Sequence, residues 1–217
     1  MPAQRSAPAA RPSEHRTKPE HGEQTKAKLL ALARELFARR GYGGVALQEL
    51  CDRAGVTRGA VYHHFPGKDG LFGAVCEQVA GEVSQRLIAR AVSEPTAWAR
   101  LQAGCAAFLD ECAKPEVQQI LLTDAPAVLG WAAFRELDGR HGLGLLKAGL
   151  QSAIEEGAVP STLPADTVAH LLVGALNEAS MVIARAEDPR TARQEAVQSV
   201  RRLLAGIAEP DGAPSST

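Results

Sequence analysis

From Glu23 onward the apolar residues return with a helical period. Leu29, Leu30, Ala33, Leu36 and Phe37 fall at the i, i+3, i+4 and i+7 positions of one buried stripe. The stripe ends at Gly41, just after Arg39-Arg40, two cations that suit the negative end of a helix. A short second helix holds Leu47, Leu50 and Cys51 and stops at Gly55, and a third starts at Thr57, a good N-cap, and runs through Tyr62. Pro66-Gly67 is a break, after which Lys68 or Asp69 opens a long fourth helix with Leu71, Phe72, Val75, Cys76, Val79, Val83 and Leu87. Pro95 then opens a helix that puts Trp98, Leu101, Cys105, Phe108, Leu109 and Cys112 on one face. A short helix from Pro115 reaches Leu121-Leu122, and Pro126 opens another with Val128, Leu129, Trp131, Phe134 and Leu137. Leu143 to Glu156 follows, closed by Gly157; Asp166 can cap a helix to Ala186, and Pro189 opens the last, to about Ile207. Proline suits these first-turn positions because its missing N–H has no intrahelical partner there. Strand signals are nearly absent, so the expected fold is all-α with about nine helices.

The stretch GVTRGAVYHHFPGKDGLF, residues 55–72, carries chemistry as well as pattern. Two short helices joined by a tight glycine-containing turn make a helix-turn-helix, whose second helix enters the DNA major groove. Thr57 brings a hydroxyl and helix N-terminal N–H groups that suit a phosphate, and Arg58 can reach a base edge, best bidentate to guanine. Gly59 and Ala60 are small enough to let the backbone approach DNA, and Ala60 can pack on a thymine methyl. Tyr62, His63 and Lys68 supply donors for phosphates. His63 and His64 are adjacent, and neighbours on a helix do not face one site, so no metal pair is expected.

Charge changes the picture only when divided. The 217 residues carry a formal net charge of −1, which seems to speak against DNA. Residues 1–72, however, hold 12 Lys and Arg against 7 Asp and Glu, a balance of +5; residues 73–217 hold 12 against 18, a balance of −6. A basic front and an acidic rear are what a nucleic-acid-binding chain with one binding end shows. Residues 1–22, with Pro2, Pro8, Pro12 and Pro19 and almost no large apolar residue, are expected to be a disordered, mildly basic tail, and 209–217 a second tail. No signal-peptide core and no apolar run of membrane-spanning length stands out, so a cytoplasmic address is expected. Four cysteines sit among apolar residues without a CxxC pair, which argues against a disulfide framework or zinc site.

In register, Gly55, Val56, Thr57, Gly59, Tyr62, His63 or His64, Phe65 and Lys68, with Leu36-Phe37 and Gly41-Tyr42 upstream, resemble the TetR family of transcriptional regulators. The similarity covers roughly residues 25–72. It implies a helix-turn-helix DNA-binding domain at 23–72 and a helical ligand-binding and dimerisation domain at 73–208. One departure stands out. The resemblance calls for Ser or Thr at the start of the second helix, where this chain has Val45-Ala46; Gln48 in the first turn is the substitute contact. The expected DNA-binding set is therefore Gln48, Thr57, Arg58, Gly59, Ala60, Tyr62, His63 and Lys68. Arg34, Arg39, Arg40 and Arg53 are read as solvated helix faces.

The rear domain's last two helices carry broad apolar stripes, Val168, Leu171, Leu172, Leu176, Val182 and Ile183 on one and Val197, Val200, Leu203, Leu204 and Ile207 on the other. Together they suit a homodimer through a four-helix interface, and a helix-turn-helix needs a dimer to read a palindromic operator. The expected pocket for a small apolar or amphipathic effector is lined by Trp98, Cys105, Phe108, Leu121, Trp131, Phe134, His170 and Asn177, with Asp124, Arg135, His141 and Glu178 as further polar candidates. No nucleotide-loop, metallohydrolase or nucleophile-elbow motif is present, so no enzyme activity, cofactor or metal is expected. The sequence thus points to a dimeric operator-binding regulator, expected to be a repressor released by its ligand. The alternative is a ligand-independent or thiol-responsive regulator. Cys105 and Cys112 lie two turns apart, about 10 Å along a helix, too far to bridge.

Overall fold

The computed structural model describes residues 18–208, with side chains from residue 22; the remaining tail segments lie outside the described residues. Every regular element among the described residues is helical. Helix α1 spans Lys18–Arg40, α2 Leu47–Ala54, α3 Arg58–His64 and α4 Gly67–Ala91. Behind them come α5 (Ala97–Cys112), the short α6 (Pro115–Val117), α7 (Ala125–Asp138), α8 (Gly144–Glu155), α9 (Ala165–Arg185) and α10 (Pro189–Ala208). Wide π-type turns at Gln118–Asp124 and Gly139–Leu143 join α6 to α7 and α7 to α8. Helix α1 begins at Lys18, ahead of the expected start at Glu23. Pro19 is compatible with a first helical turn, so the run of polar residues before Glu23 does not delay the helix.

Two apolar cores hold the helices together. The first contains Leu29, Phe37, Leu50, Val61, Leu71 and Phe72 and continues into Ala107, Cys112, Ile120 and Leu137 of the rear helices. Its centre is aromatic: Phe72 meets Phe37 edge-on at 5.2 Å and Tyr42 at 5.1 Å between ring centroids. The second core joins α5, α8, α9 and α10 through Leu101, Leu150, Val173, Leu176 and Leu204. Residue 72, where the charge balance changes sign, lies inside α4. That helix belongs to both ends of the molecule.

Three local details depart from the expected elements. Gly130, at φ 76° and ψ 162°, interrupts α7 in a backbone region that only glycine occupies comfortably. The interruption resets the helical phase, so Trp131, expected on the stripe with Leu129 and Phe134, is expelled to the surface and is 72% exposed. Asp166 does not cap α9; it lies in the first turn, where it pairs with Lys147, and the N-cap position is Pro164. A carboxylate cap does occur at α10, where Asp188 accepts the backbone N–H groups of Arg190 and Thr191 at 3.1 and 3.3 Å.

The start of α2 is as bare as its sequence. Ala46 takes the extended N-cap conformation, φ −89° and ψ 143°, with no side-chain bond to the helix. A serine there supplies the missing acceptor for about 1 kcal/mol. Ala46→Ser should therefore raise the melting temperature by roughly 2–4 °C, the shift that 1 kcal/mol produces in a domain of this size. Thermal unfolding by circular dichroism checks this, and an unchanged or lower value would refute it.

Candidate nucleic-acid interface

The turn between α2 and α3 is set by Gly55. At φ 70° it occupies the left-handed region; its N–H bonds to Asp52 O at 3.2 Å and the next N–H, from Val56, to Cys51 O at 3.0 Å. This pair of bonds closes α2 and turns the chain directly into α3. Thr57 caps α3, its Oγ1 accepting Ala60 N–H at 3.2 Å, which leaves the hydroxyl proton free to donate outward. Val61 is the buried anchor of α3. Around it Arg58, Gly59, Tyr62 and His63 are exposed on the outer face, and Ala60 is half-buried. Arg58 has no hydrogen bond or ion pair among the described residues, so its guanidinium is available. Gln48 is exposed on α2 and donates to Asp52 Oδ1 at 2.8 Å.

Lys68 is placed differently from the rest of the expected set. Its ammonium donates to Tyr42 O at 2.7 Å and lies 3.7 Å from the centre of the Tyr42 ring. Burial there pushes its pKa down, partly offset by Asp69 and Asp124. Lys68 therefore braces the turn after α1 as well as bordering the recognition helix.

The same turn is held from the rear. Tyr42 N–H donates to Asp124 Oδ2 at 2.6 Å, and the Tyr42 hydroxyl bonds Asp69. Burial and the Asp69 carboxylate push the Tyr42 phenol up to about 12. Nearby, Arg34 on α1 forks between two carboxylates, meeting Glu82 of α4 at 2.6 and 2.8 Å and Glu116 of α6 at 2.7 and 2.9 Å. Arg34 is thus an internal clamp rather than a solvated face. Asp124 is committed to the Tyr42 backbone rather than to a cavity. Arg40 likewise turns toward α2, donating to Glu49 Oε1 at 2.6 Å. The Arg34 and Asp124 contacts were not legible because they join residues 48 to 82 positions apart in sequence.

Two chambers open behind α4. The larger, about 240 Å³, lies among α4, α5, α8 and α9 and includes Leu87, Ile88, Leu101, Gly104, Cys105, Phe108 and Leu146 in its walls. The smaller, about 60 Å³, is bordered by Phe108, Leu121, Phe134, Asp138, His141 and Asn177. Of the residues expected to line one pocket, Cys105 and Phe108 border the first chamber, and Phe108, Leu121, Phe134 and Asn177 border the second. Trp98 instead packs in the half-buried layer against the second core. Trp131 faces outward because of the Gly130 break, and His170 is exposed on α9, accepting from Arg135 at 2.9 Å. Arg135 is also tied to Asp138 at 3.0 Å, and Glu178 is exposed. Helical periodicity finds a buried face; it does not say which buried residues border a void.

Residues 29–75 match the family model for bacterial regulatory proteins of the tetR family, and residues 98–207 match that for the tetracyclin repressor-like C-terminal domain. The solved structure of a TetR-family transcriptional regulator from Pectobacterium atrosepticum is 36% identical and covers 90% of this chain and 99% of its own, with a TM-score of 0.76. The chain belongs to the TetR family. Among curated relatives, the transposon Tn10 TetC protein of Escherichia coli is 25% identical over 155 residues, 71% of this chain and 78% of that protein. The transcriptional regulator CymR of Pseudomonas putida is 37% identical over 75 residues, 35% of this chain and 37% of CymR. As a TetR-family member the protein is a DNA-binding transcriptional regulator, its helix-turn-helix being α2 and α3; the family and its neighbours are regulators, not enzymes. The bare Ala46 cap is where this TetR-family chain departs from the pattern that its own motif suggests.

Proposed function

We propose that this TetR-family regulator is a homodimeric repressor that leaves a palindromic operator when a small apolar or amphipathic molecule enters its interior. The observation that carries the reading is helix α4. It begins directly after the recognition helix at Gly67, and near its other end Leu87, Ile88 and Ala91 form part of the larger chamber wall. A ligand that fits only one arrangement of that wall biases the arrangement of the helix-turn-helix as well.

Dimerisation is supported by apolar side chains that the single chain leaves in water. Leu171 and Val182 on α9 and Leu203 on α10 are each more than half exposed. Helix α9 is long and apolar enough to cross a membrane by length and composition, yet it spends its buried face against α8 and α10. A second copy laid on the remaining face covers these residues and sets two recognition helices about 34–36 Å apart, one turn of DNA. In this reading Arg58 reads a base edge, and Thr57, Tyr62 and His63 touch phosphates, with Gly59 and Ala60 allowing the approach. Gln48 and Lys68 contribute at the border.

A thiol-responsive mechanism has less support. Cys51, Cys76, Cys105 and Cys112 are all buried. Desolvation pushes the thiols of Cys76, Cys105 and Cys112 up to about 12, so they stay protonated and unreactive.

The test is a gel-shift assay with DNA flanking the protein's own gene. A retarded band at low salt that disappears with at least one compound from a broad apolar panel is the expected result. Arg58→Ala should weaken the operator complex by roughly 1–3 kcal/mol and relax preference at one base pair per half-site. No shift at any salt concentration would overturn operator binding, and release by no compound would overturn ligand control.

A further inference from the structure

The two chambers share a wall. Leu87, Phe108 and Gly142 border both, and Phe108 is the half-buried aromatic that packs against both apolar cores. Its ring therefore stands between two voids. One turn before it on the same face of α5 is Gly104, where an added Cβ would meet nothing within 4 Å. A helical side chain leans toward the preceding turn, so the vacancy at Gly104 is the space into which the Phe108 ring can swing. Alone, the 240 Å³ chamber is below the roughly 300 Å³ at which drug-sized sites begin; the 60 Å³ chamber beside it makes up the difference.

The polar groups around this space are unevenly committed. Arg100, at the larger chamber, donates to Glu156 at 2.8 Å and to the carbonyls of Glu94 and Pro95. At the smaller chamber Asp138 holds Arg135 at 3.0 Å and His141 holds Glu77 at 2.7 Å. Arg100 and Asp138 thus already have their opposite charges, and the His141 ring nitrogen already has a carboxylate partner. A carboxylate or ammonium entering would lose its hydration without gaining an unpaired partner. Two uncharged polar side chains are uncommitted: Ser152 at the larger chamber and Asn177 at the smaller have no partner among the described residues. Each can donate and accept, and of the two only the Asn177 amide lies at the narrow end.

We propose that the two chambers form one site for an elongated, uncharged amphipath, with its hydrocarbon end among α5, α8 and α9, its hydroxyl or carbonyl on the Asn177 amide, and Phe108 as the movable partition. The inference rests on the ligand response proposed above and names the class of ligand.

Titration calorimetry with 1-octanol, octanoate and octylammonium is the probe, on the full-length protein without DNA. The alcohol should bind at least tenfold more tightly than either ion. Longer alcohols should gain about fourfold per methylene until the space is full. Gly104→Leu, whose Cβ meets nothing within 4 Å and which improves a helical position, should not lower the melting temperature and should abolish that gain. Asn177→Leu should weaken the alcohol about tenfold, the worth of one hydrogen bond, and Phe108→Ala should extend the chain length accepted. Equal binding of the ions, or unchanged chain-length dependence in Gly104→Leu, would overturn the site. The two readings fail separately. If alcohols bind without releasing operator DNA, ligand control by this site fails while the site stands; if no alcohol binds but another compound releases DNA, the site assignment fails and ligand control stands.

Discussion

Replacing Arg34 by Met should lower the melting temperature by about 4–8 °C, with operator affinity falling in parallel. The guanidinium is four-fifths buried and is shared by Glu82 and Glu116, each about one-third exposed. Removing it leaves the two carboxylates across α4 and α6 with only Arg86, 3.6 Å from Glu82, to offset their repulsion. Breaking a fully buried pair costs about 3–5 kcal/mol; the partial exposure of the carboxylates brings this nearer 2 kcal/mol, and 2–4 °C follow per kcal/mol in a domain of this size. The charge itself is not enough: Arg34→Lys keeps it but loses the fork that serves two carboxylates together, so it should recover only part of the loss. Adding Glu82→Gln and Glu116→Gln to Arg34→Met should restore most of it, because the repulsion is then gone. Equal stability of Arg34→Met and the wild type would show that the network contributes nothing.

The same clamp gives an acid signature. Hydrogen bonding to Arg34 lowers the Glu82 carboxyl from its ordinary value of 4.5 to about 2, and Glu116 is lowered by the same partner. A carboxylate with a depressed pKa stabilises the fold fully above its unfolded value and loses that contribution as pH falls through the folded one. Wild-type stability should thus decline from about pH 4.5 toward 2, and Arg34→Met should flatten that part of the curve. Denaturant melts between pH 2 and 6 measure it.

What the sequence could show depended on the range of each interaction. The Thr57 cap, the Gly55 turn and the core set Leu29, Phe37, Val61 and Leu71 are local or periodic, and each was legible directly. The recognition helix could be read because its motif is contiguous. The Gly130 break was hidden because a glycine inside an apolar helical stripe is compatible with an unbroken helix, and nothing in the local pattern distinguishes the glycine that takes φ 76° from one that stays helical. The bracing roles of Arg34, Tyr42 and Asp124 were hidden because their partners lie across the fold: a lone arginine on an amphipathic helix looks like surface, and an aspartate in an apolar stretch looks like a pocket group. Lys68 shows how a residue identified by its motif can turn partly inward once Tyr42 is placed beside it.

Leu171→Asp combined with Leu203→Asp should convert the regulator to a monomer and cost operator affinity on the order of 10²–10⁴-fold. Both side chains are already exposed in the single chain, Leu171 at 69% and Leu203 at 55%, so the substitutions leave no cavity in the fold. Surface changes of this kind alter intrinsic stability by only about 0.5 kcal/mol. Across a two-fold interface, however, each added carboxylate meets the same apolar patch and the same charge on the partner. The DNA penalty follows from linkage, since the second half-site is bound at high effective concentration only while the two recognition helices are joined. Sedimentation velocity reads the oligomeric state and gel shifts read the affinity. Melting should also lose its dependence on protein concentration, which a dimer shows and a monomer does not. Trp131→Ser is the control: that ring is exposed on α7, outside the α9–α10 face, and its removal should leave the dimer intact. A dimer that survives both aspartates but dissociates on loss of Trp131 would move the interface to α7.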